Sequence, residues 1–183
     1  MKKIFIIGCF LVALVAVTFL IFEKLRMSAE LNQTEQKSYE DDEMGIRFSY
    51  PSLLVLRNNP TENAHTVCFY GEEDEKIRKN GVFFEGPSNM IAIHSFKDMD
   101  YQKEVNRVIS NVSNNRRDSE MTFKGYPAKE ILGNYEQFGV TLNSRHIVVN
   151  KNGRIYSLGV VWHSDAKLEE QFNEMLNSLE FIE

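Results

Sequence analysis

The first feature of the hydropathy pattern is an uncharged apolar run at residues 4–22, set between Met1-Lys2-Lys3 and Glu23-Lys24-Leu25-Arg26. About 20 helical residues at 1.5 Å rise cross a hydrocarbon core of about 30 Å, so the pattern predicts one N-terminal transmembrane helix. Residues 27–42 are polar, with almost nothing to bury, and read as a tether. The pattern then turns to period two. Ile46, Phe48 and Tyr50 alternate with polar partners until Pro51 stops the strand. A short apolar run at 53–56 is followed by a turn at Asn58-Asn59-Pro60. Further strands are predicted at 66–70, 82–84 and 90–96, with a charged loop or short helix over 71–80.

Period two gives way to helical spacing after residue 100. Asp100 stands at a capping position, and Tyr101, Val105, Val108, Ile109 and Val112 form one apolar stripe that fades into Asn114-Asn115-Arg116-Arg117. Strands return at 121–123, 128–135 and 140–149, with a turn at Lys124-Gly125-Tyr126-Pro127. Asn152-Gly153 is a tight-hairpin dipeptide, and residues 154–162 run back antiparallel. Ser164 is placed to cap a last helix whose face is Leu168, Phe172, Met175, Leu176 and Leu179. Strands joined by turns, with two helices interspersed, predict an α+β domain in which helices cover an antiparallel sheet. The chain thus divides into a membrane anchor (1–26), a polar tether (27–42) and a soluble domain (43–183).

Composition narrows the function more than the fold. Of the 183 residues, 43% are hydrophobic and 26% charged, which is globular rather than disordered usage. The net charge is −5, and acidic runs at Glu40-Asp41-Asp42-Glu43 and Glu72-Glu73-Asp74-Glu75 give the soluble part no phosphate-tracking surface. Nucleic acid is therefore excluded as an expected partner. The apolar run exceeds the 7–15 residues or so of a signal peptide, and no Ala-x-Ala site follows it, so an uncleaved anchor is expected. Lys2, Lys3 and the terminal amine outweigh Lys24 and Arg26 beside Glu23, which places the N-terminus inside and the domain on the extracytoplasmic face. Of the two cysteines, Cys9 lies in the apolar run and Cys68 in a strand, where it reads as a small buried hydrophobe.

Four pieces of sequence, in order, resemble the PsbP-like superfamily, which spans extrinsic photosystem II subunits, Mog-type proteins and bacterial envelope proteins. They are Gly45-Ile46-Arg47-Phe48-Ser49-Tyr50-Pro51, Phe123-Lys124-Gly125-Tyr126-Pro127-Ala128, the hairpin ending in Ile155-Tyr156-Ser157-Leu158, and the closing residues 172–181. One departure is Leu53 to Leu56 where such proteins often place a Trp after the Tyr-Pro pair. The resemblance implies an α/β/α sandwich on an antiparallel sheet, and a non-catalytic binding or accessory role.

The residues that bear chemistry are sparse. His65, His94, His146 and His163 show no His-x-x-x-His spacing and no accompanying cysteine pair, so no metal site is expected. By strand alternation His94 falls with Met90 and Ala92, and His146 with Leu142 and Val148, as core or rim residues. The acidic run at 72–75 lacks the alternating ligands and turn glycine of a calcium loop. No Gly-x-Ser-x-Gly occurs, and neither a catalytic residue nor a cofactor is expected. Trp162 falls on a strand face suited to packing under a helix, whereas Tyr135 and Phe138 flank a glycine-bounded loop and are the candidate recognition surface. The leading expectation is a membrane-tethered domain engaging another envelope protein. The alternatives are a small-ligand or metal-binding module, and a hydrolase whose triad is assembled from distant residues.

Overall fold

The computed structural model describes residues 35–58, 64–71, 89–112, 114–137, 139–163 and 167–183. The apolar segment 1–26, residues 27–34 of the tether, the acidic run 72–75, the strand expected at 82–84, the cap expected at Ser164, and Phe138 lie outside them. Among the described residues no helix is long and apolar enough to cross a membrane.

The chain order is β1 (Gln36–Asp41), β2 (Ile46–Pro51), β3 (Leu54–Asn58), β4 (His65–Gly71), β5 (Met90–Phe96), α1 (Tyr101–Asn111), β6 (Asn114–Phe123), β7 (Tyr126–Gln137), β8 (Val140–Lys151), β9 (Arg154–Trp162), α2 (Lys167–Ser178) and β10 (Glu180–Phe181). The main sheet runs β3-β4-β5-β9-β8-β7-β6, and a smaller one runs β1-β2-β10. Every pairing is antiparallel. Two tight turns fix the register of β6 on β7 and of β8 on β9. Lys124-Gly125 has φ of 51° and 87°, and Asn152-Gly153 has 52° and 91°. Positive φ at both central residues is what a twisted two-residue hairpin requires.

Alternation along β9 assigns the layers. Tyr156, Leu158 and Val160 point into the larger core with Phe172, Met175 and Leu176 of α2 and with Ile46 and Phe48 of β2. Ile155 faces the other way, into a smaller core with Val105, Val108 and Val112 of α1, Ile131 and Val148. One helix therefore lies on each face of the antiparallel sheet: the pattern predicts helices covering a sheet, and the resemblance implies the α/β/α arrangement. Asp100 caps α1 by accepting a hydrogen bond from the Lys103 amide at 2.8 Å.

Two segments differ from the sequence reading. Residues 36–41, expected in the tether, form strand β1 paired along β2 from Gln36↔Pro51 to Asp41↔Ile46. Only Tyr39 in this strand is buried, so an edge strand with one core contact carries no periodic signal. Residues 114–117, expected as a fading helix end, begin the long edge strand β6, whose first seven residues are exposed. Its polar composition is that of an edge held off from association by charge, with Asp118 and Glu120 both paired to Lys129.

The small sheet packs on the main one through the shared larger core, and one buried hydroxyl adds a polar tie to the β1–β2 turn. Tyr156, fully buried, donates to the Met44 carbonyl at 2.8 Å. Gly45 follows at φ +68°, where a Cβ would lie 3.0 Å from Arg154 Nη1 and 3.3 Å from the Ile182 carbonyl. Tyr156→Phe leaves that carbonyl buried and unpaired, at an expected cost of about 1–3 kcal/mol. Phe172→Ala empties the larger core and is expected to cost about 3–5 kcal/mol. Urea unfolding checks both, with exposed Leu53→Ala as a control expected within about 0.5 kcal/mol of the parent; a Tyr156→Phe protein as stable as the parent would show that the hydroxyl joins nothing.

Candidate functional site

Between α1 and the main sheet lies a cavity of about 230 Å³. Its position follows from strand alternation. Met90, Ala92 and His94 come from β5, Ser157, Gly159 and Val161 from β9, His146 from β8, and Tyr135 and Gln137 from β7. All are on the α1 face, and the helix contributes Arg107, Val108 and Asn111 from one side. The hollow exists because the floor is built from small residues. Ala92 is the register partner of Gly159, and His94 of Ser157.

Gly159 also makes room for a ring. His146 is its register partner on β8. A Cβ on Gly159 would overlap His146 Nδ1 outright and lie 2.9 Å from Cε1. The imidazole therefore lies across the neighbouring strand where any other residue would project. His94 is held separately, sharing a hydrogen bond between Nδ1 and Thr66 Oγ1 at 2.9 Å and stacking on Phe96 at 6.0 Å between centroids.

The charges near the cavity cancel. Glu104 on α1 has a fully buried side chain. Arg107, one turn on, donates to it from Nε and Nη2, both at 2.6 Å. A buried carboxylate needs such a two-pronged partner, and the same bond raises the Arg107 pKa. Both histidines are pushed the other way. Burial lowers the His94 pKa, Arg107 adds to the effect, and Glu104 opposes it. Burial, with Arg107 and His94 adding and Glu104 opposing, brings His146 down to about 4. At neutral pH the site thus holds two uncharged imidazoles, each one donor and one acceptor.

The remaining expected site residues fall as follows. Tyr135 is half-buried and lines the cavity, while Phe138 lies outside the described residues. His65 is paired with Glu43 at 2.9 Å, and His163 is held through its backbone by Asn89 and Asn143; neither lines the cavity. Among the described residues no three His, Cys, Asp or Glu side chains group as a metal site. Both oxygens of Glu104 accept from Arg107. Cys68 is buried, as its strand position suggests. Sequence reasoning did not single out Glu104, Arg107, Ser157 or Gly159. The signal for Gly159 was present, since a glycine inside an apolar strand marks a close approach.

Comparison with known proteins places the fold. No family model matches the chain, and no curated protein sequence does. A structure of the cyanobacterial PsbP protein, CyanoP, from Synechocystis sp. PCC 6803 superposes with a TM-score of 0.53 at 11% identity, over 81% of this chain and 93% of that one. A structure from Bacteroides thetaiotaomicron gives a TM-score of 0.52 at 14% identity over 80% of this chain, which spans about half (48%) of that longer protein. The fold is PsbP-like, as the sequence motifs suggest.

Two outcomes test the site. Because the folded pKa of His146 lies below its usual 6.5, protons bind the unfolded chain first. The contribution of this histidine to stability is intact above about pH 6.5 and is lost as pH falls toward 4. Urea unfolding across that window is expected to show a shallower decline for His146→Asn than for the parent, and identical slopes would mean that His146 ionises freely. Gly159→Ala is expected to cost about 1–3 kcal/mol and to move the His146 imidazole NMR signals. A stable Gly159→Ala protein with unmoved signals would contradict the geometry.

Proposed function

We propose that this protein is a non-catalytic binding module, carried on a membrane by residues 4–22, which holds a small molecule in the cavity beneath α1 on the extracytoplasmic side. The observation that carries the reading is the cavity itself, with apolar walls at Met90, Val108 and Val161 and polar groups converging from His94, His146, Arg107, Asn111 and Ser157. A small ligand with an apolar body and one hydrogen-bonding head matches that lining. The accessory role toward an envelope protein rests on a weaker footing. Among the described residues Leu53, at 45% exposure, is the one exposed large hydrophobic side chain, so no apolar docking patch supports that role there.

The test is a fragment screen on the full-length chain in detergent micelles, followed by NMR at the His94 and His146 rings and the Met90 methyl. Small aromatic or aliphatic acids and alcohols are expected to shift all three together, and Ala92→Leu, which fills the floor, is expected to abolish the shifts. Hits that survive Ala92→Leu, or no hits at all, would remove the cavity as the binding site. The anchor is tested separately. The full chain is expected to stay with membranes through alkaline carbonate washing and a chain starting at residue 27 to be released; release of both would end the tethered reading.

A further inference from the structure

We propose that the open groove on the opposite, α2, face of the main sheet is a second binding site, for a neutral saccharide. The groove has a volume of about 290 Å³ and is independent of the α1 cavity. Its centre is a single row of side chains across three strands, because Asn134 on β7 is the register partner of Asn143 on β8, and Asn143 that of Trp162 on β9. Strands lie about 4.8 Å apart, so the row is about 10 Å long, the scale of a disaccharide.

The amides in this row are already oriented. Asn115 Nδ2 donates to Asn134 Oδ1 at 2.8 Å, Asn134 Nδ2 to Asn143 Oδ1 at 3.3 Å, and Asn143 Nδ2 to the His163 carbonyl at 3.1 Å. Each donates in the same direction, so each fixes the next. A carboxamide has two N–H donors and an oxygen with two lone pairs. One link in each direction therefore leaves the Asn143 amide able both to give and to accept at the groove. Sugar hydroxyls, which also do both, are the complementary chemistry.

Trp162 supplies the apolar half of such recognition. It is half-buried, packs in part against the larger core, and lines the groove beside Asn143. An indole anchored in this way presents its surface at little entropic cost, suited to the C–H face of a pyranose ring. Arg117 and Glu169 also line the groove with opposite charges, which favours a neutral ligand over a phosphate or an acidic peptide. The backbone is shaped for the site as well. A bulge interrupts the β6–β7 register between Asn114 and Arg117, and Asn115 within it adopts φ of 53°. A bulge re-aims side chains, and here it turns Asn115 into the amide row.

Trp162 is the one tryptophan of the chain, so its fluorescence reports on this groove alone. The full-length protein in detergent micelles is titrated with cellobiose, maltose and N,N′-diacetylchitobiose. At least one is expected to give a saturable change in Trp162 emission. Asn143→Ala is expected to weaken that binding by roughly tenfold, the equivalent of one lost hydrogen-bonding group. Calorimetry on Trp162→Phe, with its fold verified by circular dichroism, is expected to show a similar or greater loss. Ala92→Leu in the other cavity is expected to leave sugar binding unchanged. No saturable change with any of the three sugars, or binding that ignores Asn143→Ala, would overturn the proposal. So would binding that is lost with Ala92→Leu, which would place the sugar under α1 instead.

Discussion

Burial on both faces of strand β9 is the constraint to which the other layers conform. Its residues from Ile155 to Val161 are all buried. A strand covered on one side alone keeps a wet face whose residues are free to vary. This one has none. Tyr156, Leu158 and Val160 are tied to α2 and the small sheet, while the alternate positions face α1. Packing at interior density leaves little room for adjustment, so any hollow must be specified by residue size. The chain does this by placing Ser157 and Gly159 on the α1 side, opposite His94 and Ala92 of β5. The same strand ends at Trp162, beside the second groove. Core and both concave surfaces are thus set by one alternating run of residues.

The electrostatics of the α1 cavity follow from that architecture. Ionised groups next to a sheet buried on both faces lose hydration, and each either finds a partner or discharges. Glu104 finds a partner in Arg107, and that guanidinium, together with burial, works against a proton on either imidazole. The pair satisfies a carboxylate that would otherwise be stranded, and in doing so sets the histidines to their neutral form. The result is a polar site without net charge, suited to hydrogen bonding and shape rather than to charge attraction. Such a site discriminates by whether the ligand satisfies its buried donors and acceptors.

The parts of the fold that were legible in the sequence are those where burial repeats. The strand at Met90–Phe96, the stripe of α1 under its Asp100 cap, the Asn152-Gly153 hairpin and the face of α2 all carry periodic apolar residues, and all appear where the pattern puts them. Strand β1 and residues 114–120 of β6 were not legible, because an edge strand buries one residue or none over most of its length and is held by backbone pairing, which any side chain permits. The histidines were partly legible. Alternation put His94 with Ala92 and His146 with Val148, but it takes the order β5-β9-β8 to bring the two rings to one cavity. Gly159 carried a local signal, a glycine inside an apolar strand, whereas the i,i+3 pair of Glu104 and Arg107 becomes a functional candidate only through the strands that α1 covers. The asparagine row is the extreme case. Asn134 and Asn143 fall together through the β7–β8 register, while Asn115 joins them only because a bulge turns it there.

The polar character of the described surface bears on how a protein of this kind finds its place. A peripheral domain that reaches a bilayer on its own must expose apolar residues or a basic face to the headgroups. Here the described surface has one exposed large hydrophobic residue, and the whole chain is acidic. Among the described residues, then, no apolar patch offers the first route. The apolar run of residues 4–22, if it is the anchor proposed above, would supply membrane residence without either. Confinement by a tether also raises the effective concentration of a weak binder toward anything held in the same plane. The two concave sites, if they bind small neutral ligands as proposed, would suit that regime, because proximity rather than interface area would supply the rest.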